Sequence, residues 1–213
     1  AAIEVLRALA RSHNGIVSVH LALGDALRRQ ERFAEAETAY DEALARTNAE
    51  APDAWSIHYS RAIVLERQKK WDLAEPDFRK ALALNPEQPQ VLNYLGYSLL
   101  ERNEKLEEAL EMINRAVAQS PDSGYIVDSL AWGLFRLGRY EEAVEPMERA
   151  SVLEPVDPIV TDHLGDVYWA VGRRMEARFQ WRRALSFDPE EKEATRIRAK
   201  LDRGLDAVLA EEG

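Results

Sequence analysis

The sequence predicts an all-α fold: an α-solenoid of stacked helix-turn-helix repeats, closed by a C-terminal capping helix. Three observations carry this. Helix-forming Ala, Leu, Glu and Arg dominate, while Val-Ile-Thr runs of strand character are scarce. Pro86, Pro121, Pro155 and Pro189 recur at separations of 35, 34 and 34 residues. Alanines keep a fixed register to these prolines, with Ala74, Ala109, Ala143 and Ala177 twelve residues before them and Ala81, Ala116, Ala150 and Ala184 five before. Self-similarity at a fixed period of this size is the signature of a repeat array.

The elements follow in order. Residues 1–14, with Ala2 to Leu9 helical in pattern, read as the second helix of a preceding repeat whose first helix is missing. An array does not naturally begin in mid-unit, and residue 1 is not Met, so the chain reads as a segment of a longer protein. The first full repeat, 17–54, keeps Ala36 and Ala43 but has Asn48 at the proline position. Repeats follow at 55–88, 89–123, 124–157 and 158–191. A small residue precedes the first alanine by twelve positions in four copies (Gly24, Ala62, Ala131, Gly165), while the 89–123 repeat uses Gly96 and carries one extra residue near Asn103.

Repeat 124–157 shows why each copy is a helix pair. Val127, Leu130, Ala131 and Leu134 fall on one face of a first helix by their three- and four-residue spacing. Gly138, within Leu137-Gly138-Arg139, suits a left-handed helix end. A second helix from about Glu141 turns Ala143, Met147 and Ala150 inward, and Pro155, lacking an N–H, ends the unit. Small side chains at Ala131, Ala143 and Ala150 allow close helix approach, and larger ones would overpack by ~1–3 kcal/mol. Residues 192–213 complete the array as a capping helix with a polar outer face.

Composition bounds the function. The 213 residues are 46% hydrophobic and 31% charged, with a formal net charge of −10. That charge argues against nucleic acid, which needs clustered cations, and against basic attachment to a membrane surface. No apolar stretch approaches the ~18 residues that span a bilayer. Cysteine is absent, which removes thiolate chemistry. The four histidines never form an i, i+4 pair. Asp162-His163-Asp166 has a metal-like composition, but His163 is rotated about 100° from Asp162 around the helix. Paired acids such as Glu107-Glu108 and Glu141-Glu142 suit helix starts. No catalytic, cofactor or metal site is expected.

The repeat resembles the tetratricopeptide family, whose pattern is matched by Leu164-Gly165-Tyr168-Ala177-Trp181-Ala184-Pro189 and by Leu95-Gly96-Leu99-Ala109-Ile113-Ala116-Pro121. The resemblance covers roughly residues 17–191 and implies a right-handed solenoid whose first helices line a concave groove. Residues 124–185 are further similar to proteobacterial tetratricopeptide proteins, many of them periplasmic lipoproteins and one an adaptor that delivers cell-wall hydrolases to a protease. That leaves two compartments open, the periplasm (with a lipid anchor upstream of residue 1) and the cytoplasm. The family's clamp for a partner's C-terminal carboxylate is not reproduced, since Leu21 and Asp25 stand near its lysine positions. Nor is there a repeated asparagine ladder, because Asn93 stands alone.

Besides its core stripe, each first helix carries a second face. In 124–157 this face is Tyr125, Asp128, Trp132 and Phe135, with Arg136 beside it; elsewhere it includes Tyr59, Asn93, Tyr97, Asp162, Asp166 and Trp169. Rigid aromatics with a few directed polar groups suit a peptide hot spot. The expected function is therefore a non-catalytic adaptor that holds a protein or peptide client with apolar and basic residues in the groove. The rival is a structural segment that self-associates, as a homodimer, through the edge Ile3 to Leu9 or through the groove.

Overall fold

The computed structural model describes residues 2–48 and 50–212. Ala1, Ala49 and Gly213, which the sequence assigns to the opening helix, the first repeat and the capping helix, lie outside the described residues, as does the side chain of Glu212. All regular structure among the described residues is helical, and the helices pack in sequential pairs. The chain divides into two compact units, Ala1–Val91 and Leu92–Gly213.

The first unit holds α1 (Ala2–Ser12), α2 (Val17–Arg28), α3 (Phe33–Leu44), a 3-10 turn (Pro52–Ala54), α4 (Trp55–Arg67) and α5 (Trp71–Leu84). Each α-helix packs on the next from α1 to α5. Ile3, Leu23, Leu27, Tyr40, Ile57 and Val64 form the centre of its core. The helix α6 (Pro89–Glu101) crosses the division between units.

The second unit continues with α7 (Leu106–Gln119), α8 (Gly124–Arg136), α9 (Tyr140–Leu153), α10 (Pro158–Ala170) and α11 (Arg174–Leu185). Asp157 starts α10 as an N-cap, its carboxylate accepting from the Ile159 and Val160 amides, with Pro158 at the first helical position. The segment read as one capping helix is two, α12 (Glu191–Arg203) and α13 (Leu205–Glu212). They are broken at Gly204, whose φ of 87° and ψ of 161° end the helix. Apolar periodicity runs through this break, which is why the pattern alone joined them.

Five helix-to-helix turns share one closure. Glu31, Lys69, Asn103, Gly138 and Gly172 all adopt positive φ. The amide of the next residue reaches back to the preceding helix: Arg32 to Leu27, Lys70 to Leu65, Glu104 to Leu99, Arg139 to Leu134 and Arg173 to Tyr168, at 2.8–3.0 Å. This is the six-to-one bond of a Schellman ending, which satisfies a carbonyl the helix cannot. The extra residue near Asn103 is absorbed by a second left-handed residue, Lys105 (φ 48°), just before α7.

Where the small position on a first helix is glycine, it receives a bulky residue from the partner helix. A Cβ added to Gly24 would lie 2.5 Å from the Tyr40 ring, one on Gly96 2.7 Å from Ile113, and one on Gly165 2.4 Å from Trp181. Glycine therefore stands where an aromatic or β-branched residue presses in. The polar ends of the two aromatics are met by the carboxylate after the glycine: Tyr40 Oη donates to Asp25 and Trp181 Nε1 to Asp166, both at 2.8 Å.

Candidate functional site

In the second unit, the helices α6, α8, α10 and α12 contribute one wall each to a cleft of roughly 910 Å³, and α13 lines it as well. Tyr97 and Glu101 come from α6; Trp132, Phe135 and Arg136 from α8; Ile159, Asp162 and His163 from α10; Lys192, Glu193 and Arg196 from α12; and Val208 and Leu209 from α13. The helix period explains the gathering, since residues three and four apart share a helix face.

An aromatic stack forms the floor. Phe135 lies on Trp132 with ring centroids 4.9 Å apart and planes 9° from parallel, and His163 lies on Trp132 at 4.1 Å and 12°. Trp132 is only 7% exposed, and its Nε1 donates to Glu101 Oε1 at 2.9 Å. Arg136 donates to the same oxygen at 3.4 Å. Trp132 is thus fixed by stacking and by a hydrogen bond, so presenting its edge to a ligand loses little rotamer entropy.

Beside the stack, the buried carboxylates of α8 and α10 are matched by basic side chains from α10 and α12. His163 Nδ1 on α10 lies 2.9 Å from Asp128 on α8. Lys200 on α12, wholly buried, donates to Asp162 at 2.5 Å and to Asp166 at 2.7 Å on α10. Arg196 approaches the same two carboxylates at 3.7 and 3.4 Å. Burial opposes protonation of His163, but the Asp128 carboxylate outweighs it and raises the pKa above the ordinary histidine value. Burial, together with the charge of Asp166, pushes Asp162 up to about 6 although Lys200 pulls the other way. Burial also raises the Tyr97 phenol, aided by Glu101 and Asp128.

Of the residues singled out in the sequence, Tyr97, Trp132, Phe135, Arg136 and Asp162 line the cleft. Asp128 is buried under it on His163, and Asp166 is fully enclosed between Trp181 and Lys200. Trp169, at 9% exposure, is covered by the C-terminal segment: its Nε1 donates to Asp206 at 3.1 Å. Asn93 is half-buried on α6. Tyr125 is exposed at the start of α8, where Glu154 and Asp157 raise its phenol pKa. Tyr59 lies in the first unit, packed against Trp55 and Phe78. The Asp162-His163-Asp166 trio does not converge, since His163 turns to Asp128 while Lys200 sits between the two aspartates. Among the described residues no group of three or more acidic, histidine or cysteine side chains is placed to hold a metal ion.

Sequence reasoning passed over Glu101, Arg196 and Lys200, and it placed His163 only as turned away from Asp162. The repeat period held a signal for two of them: Arg196 and Lys200 stand thirty-four residues after Asp162 and Asp166, each a cation one repeat on from an acid.

The tetratricopeptide repeat model matches residues 1–51, 21–89 and 59–124. The chain belongs to the tetratricopeptide repeat family. It is 30% identical over 123 residues to the TPR repeat-containing protein PA4667 of Pseudomonas aeruginosa, a match covering 58% of this chain and 20% of that one. It is 40% identical over 88 residues to the lipoprotein NlpI homolog of Haemophilus influenzae, covering 40% of this chain and 27% of the relative. The matches thus span between a fifth and about a quarter of those curated relatives. Among solved structures, Pseudomonas aeruginosa PilF superposes with a TM-score of 0.72 at 21% identity, over 91% of this chain and 87% of that one. YrrB, described as a tetratricopeptide protein with an unusual peptide-binding site, superposes at 0.65 and 18% identity, over 89% of this chain and 95% of its own. At these identities the likeness is one of fold, the fold of a family that generally binds proteins.

Proposed function

We propose that this chain is a non-catalytic interaction module that holds a peptide or protein client in the cleft of its second unit. The observation that carries this reading is the cleft floor, a pre-fixed Phe135–Trp132–His163 stack bordered by the charged pair Glu101 and Arg136. Rigid aromatics in a concavity with a few oriented polar groups are what peptide hot spots are made of. The client's charge needs restating. Asp128, Asp162 and Asp166 suggested a basic partner, but each already has a basic side chain of this chain within reach, His163 for the first and Lys200 for the other two. The groups left to meet a client are aromatic and aliphatic edges with charges of both signs.

The self-association reading has one observation of its own, the exposure of Val5 and Leu9 on α1. One experiment separates the two. The chain is used as bait in lysate of its source organism beside an Arg136→Glu, Ile159→Asp variant, with light scattering on both. Arg136 and Ile159 are accessible enough for the fold to survive, Ile159 being 49% exposed. A client retained by the parent, lost at least tenfold by the variant, and a monomeric mass support the groove. Equal retention by both proteins, or a dimeric mass with no client, rejects it.

A further inference from the structure

The last described helix, α13, borders the cleft and is seated beside it on Trp169. It buries Leu205 at 2% exposure and Val208 at 4%, and leaves Leu209 partly open at the cleft edge. These three occupy positions i, i+3 and i+4, the anchor spacing of a helix lying in a groove. Leu205 joins the same apolar cluster as Phe135 and Trp169. Its neighbour Asp206 accepts from Trp169 Nε1 at 3.1 Å and lies 3.9 Å from Arg174, while Glu211 pairs with Arg203. Arg174 also stacks over the Trp169 ring at 4.5 Å. The seat is therefore an aliphatic-accepting aromatic surface with arginines at its rim.

Two further features describe how α13 is attached. At two turns it is too short to be stable as a helix by itself, so its order depends on the seat. It is joined to α12 through Gly204, in a backbone conformation that essentially only glycine adopts, with the Trp169 ring 2.6 Å from where a Cβ would be.

We propose that α13 is an internal ligand of the Trp169 seat at the edge of the cleft, and that the client is a short amphipathic helix of the same chemistry, with aliphatic residues at i, i+3 and i+4 and a carboxylate at i+1, that displaces α13 and extends into the cleft. This rests on the groove reading above and gives it a ligand class. α13 is present at the high effective concentration of a tethered segment, so a free helix binds the intact chain only in proportion to the fraction with an empty seat.

The test uses the full chain and a fluorescent peptide with the sequence of residues 204–212 as probe, read by anisotropy. Leu205→Asp with Val208→Asp unseats α13, and this variant is expected to bind the probe at least tenfold more tightly than the wild type. Adding Arg174→Glu, at an exposed rim position, is expected to remove most of that gain. Amide hydrogen exchange on the unmodified chain is the second measurement, needing no variant to fold: α13 should exchange at least tenfold faster than α12 and α10. Equal probe binding by wild type and unseated chain, or α13 amides as protected as those of α12, overturns the proposal. A client that is lost with Arg136→Glu, Ile159→Asp but indifferent to unseating α13 overturns it too, while leaving the groove reading in place.

Discussion

Gly138 and Lys69 occupy the same place in two different turns, both left-handed, at φ of 72° and 61°. A side chain at Gly138 would meet nothing within 4 Å, so substitution there tests backbone conformation without packing. The left-handed region costs an L-residue roughly 1–2 kcal/mol, partly offset because alanine restricts the unfolded chain. Gly138→Ala is expected to destabilise by about 1 kcal/mol, and Lys69→Gly to stabilise by somewhat less, both read from urea unfolding midpoints. No change in either would mean the turns relax out of the Schellman geometry. The sequence made Gly138 legible because glycine advertises its conformation. It could not do so for Lys69 or Glu31, where hydrogen-bond closure imposes the same φ on residues that do not favour it, whereas Asn103 is a residue that tolerates the left-handed region.

Between elements, the helices of the second unit are tied by buried charge as well as by apolar packing. α10 is held to α8 by His163 and Asp128, and α12 to α10 by Lys200 with Asp162 and Asp166. The groups facing His163 are Asp128 from α8 and Asp162 and Asp166 from its own helix, with Lys200 bonded to the latter two. A histidine pKa raised by folding gives stability that is complete below the unfolded value near 6.5 and is lost as pH rises through the higher folded value. Asp162, raised to about 6, acts in the same direction over a lower window: its contribution is present below the ordinary aspartate value and lost as pH rises through about 6. The His163→Gln variant should therefore fall further below wild type in Tm at pH 6 than at pH 9. A gap that is equal at both pH values, or larger at pH 9, would show that His163 is not charged in the fold. The acids were visible in the sequence, their partners less so. Asp128, Asp162 and Asp166 stood out as a polar face, but which of them a ligand could reach depended on cations one repeat away.

On the scale of the whole chain, the 34-residue rhythm made the all-helical architecture legible from prolines and alanines alone, and the family match agrees with it. The repeat register relates Tyr97 to Trp132 and Asp128 to Asp162; of these four, Tyr97, Trp132 and Asp162 line the cleft, while Asp128 is buried on His163. Where the chain departs from the rhythm, it was not legible. The break at Gly204 and the return of α13 over Trp169 depend on one glycine and on tertiary contacts, which no period encodes. On our reading the client sits in this cleft and not on α11, where Met175 and Phe179 are also exposed. A photo-crosslinking amino acid placed at Tyr97 in one protein and at Met175 in another, expressed in the source organism, tests it most directly. A discrete crosslinked client is expected from position 97 and none from position 175. Crosslinks from 175 alone would contradict it and move the binding surface to the outer face of α11.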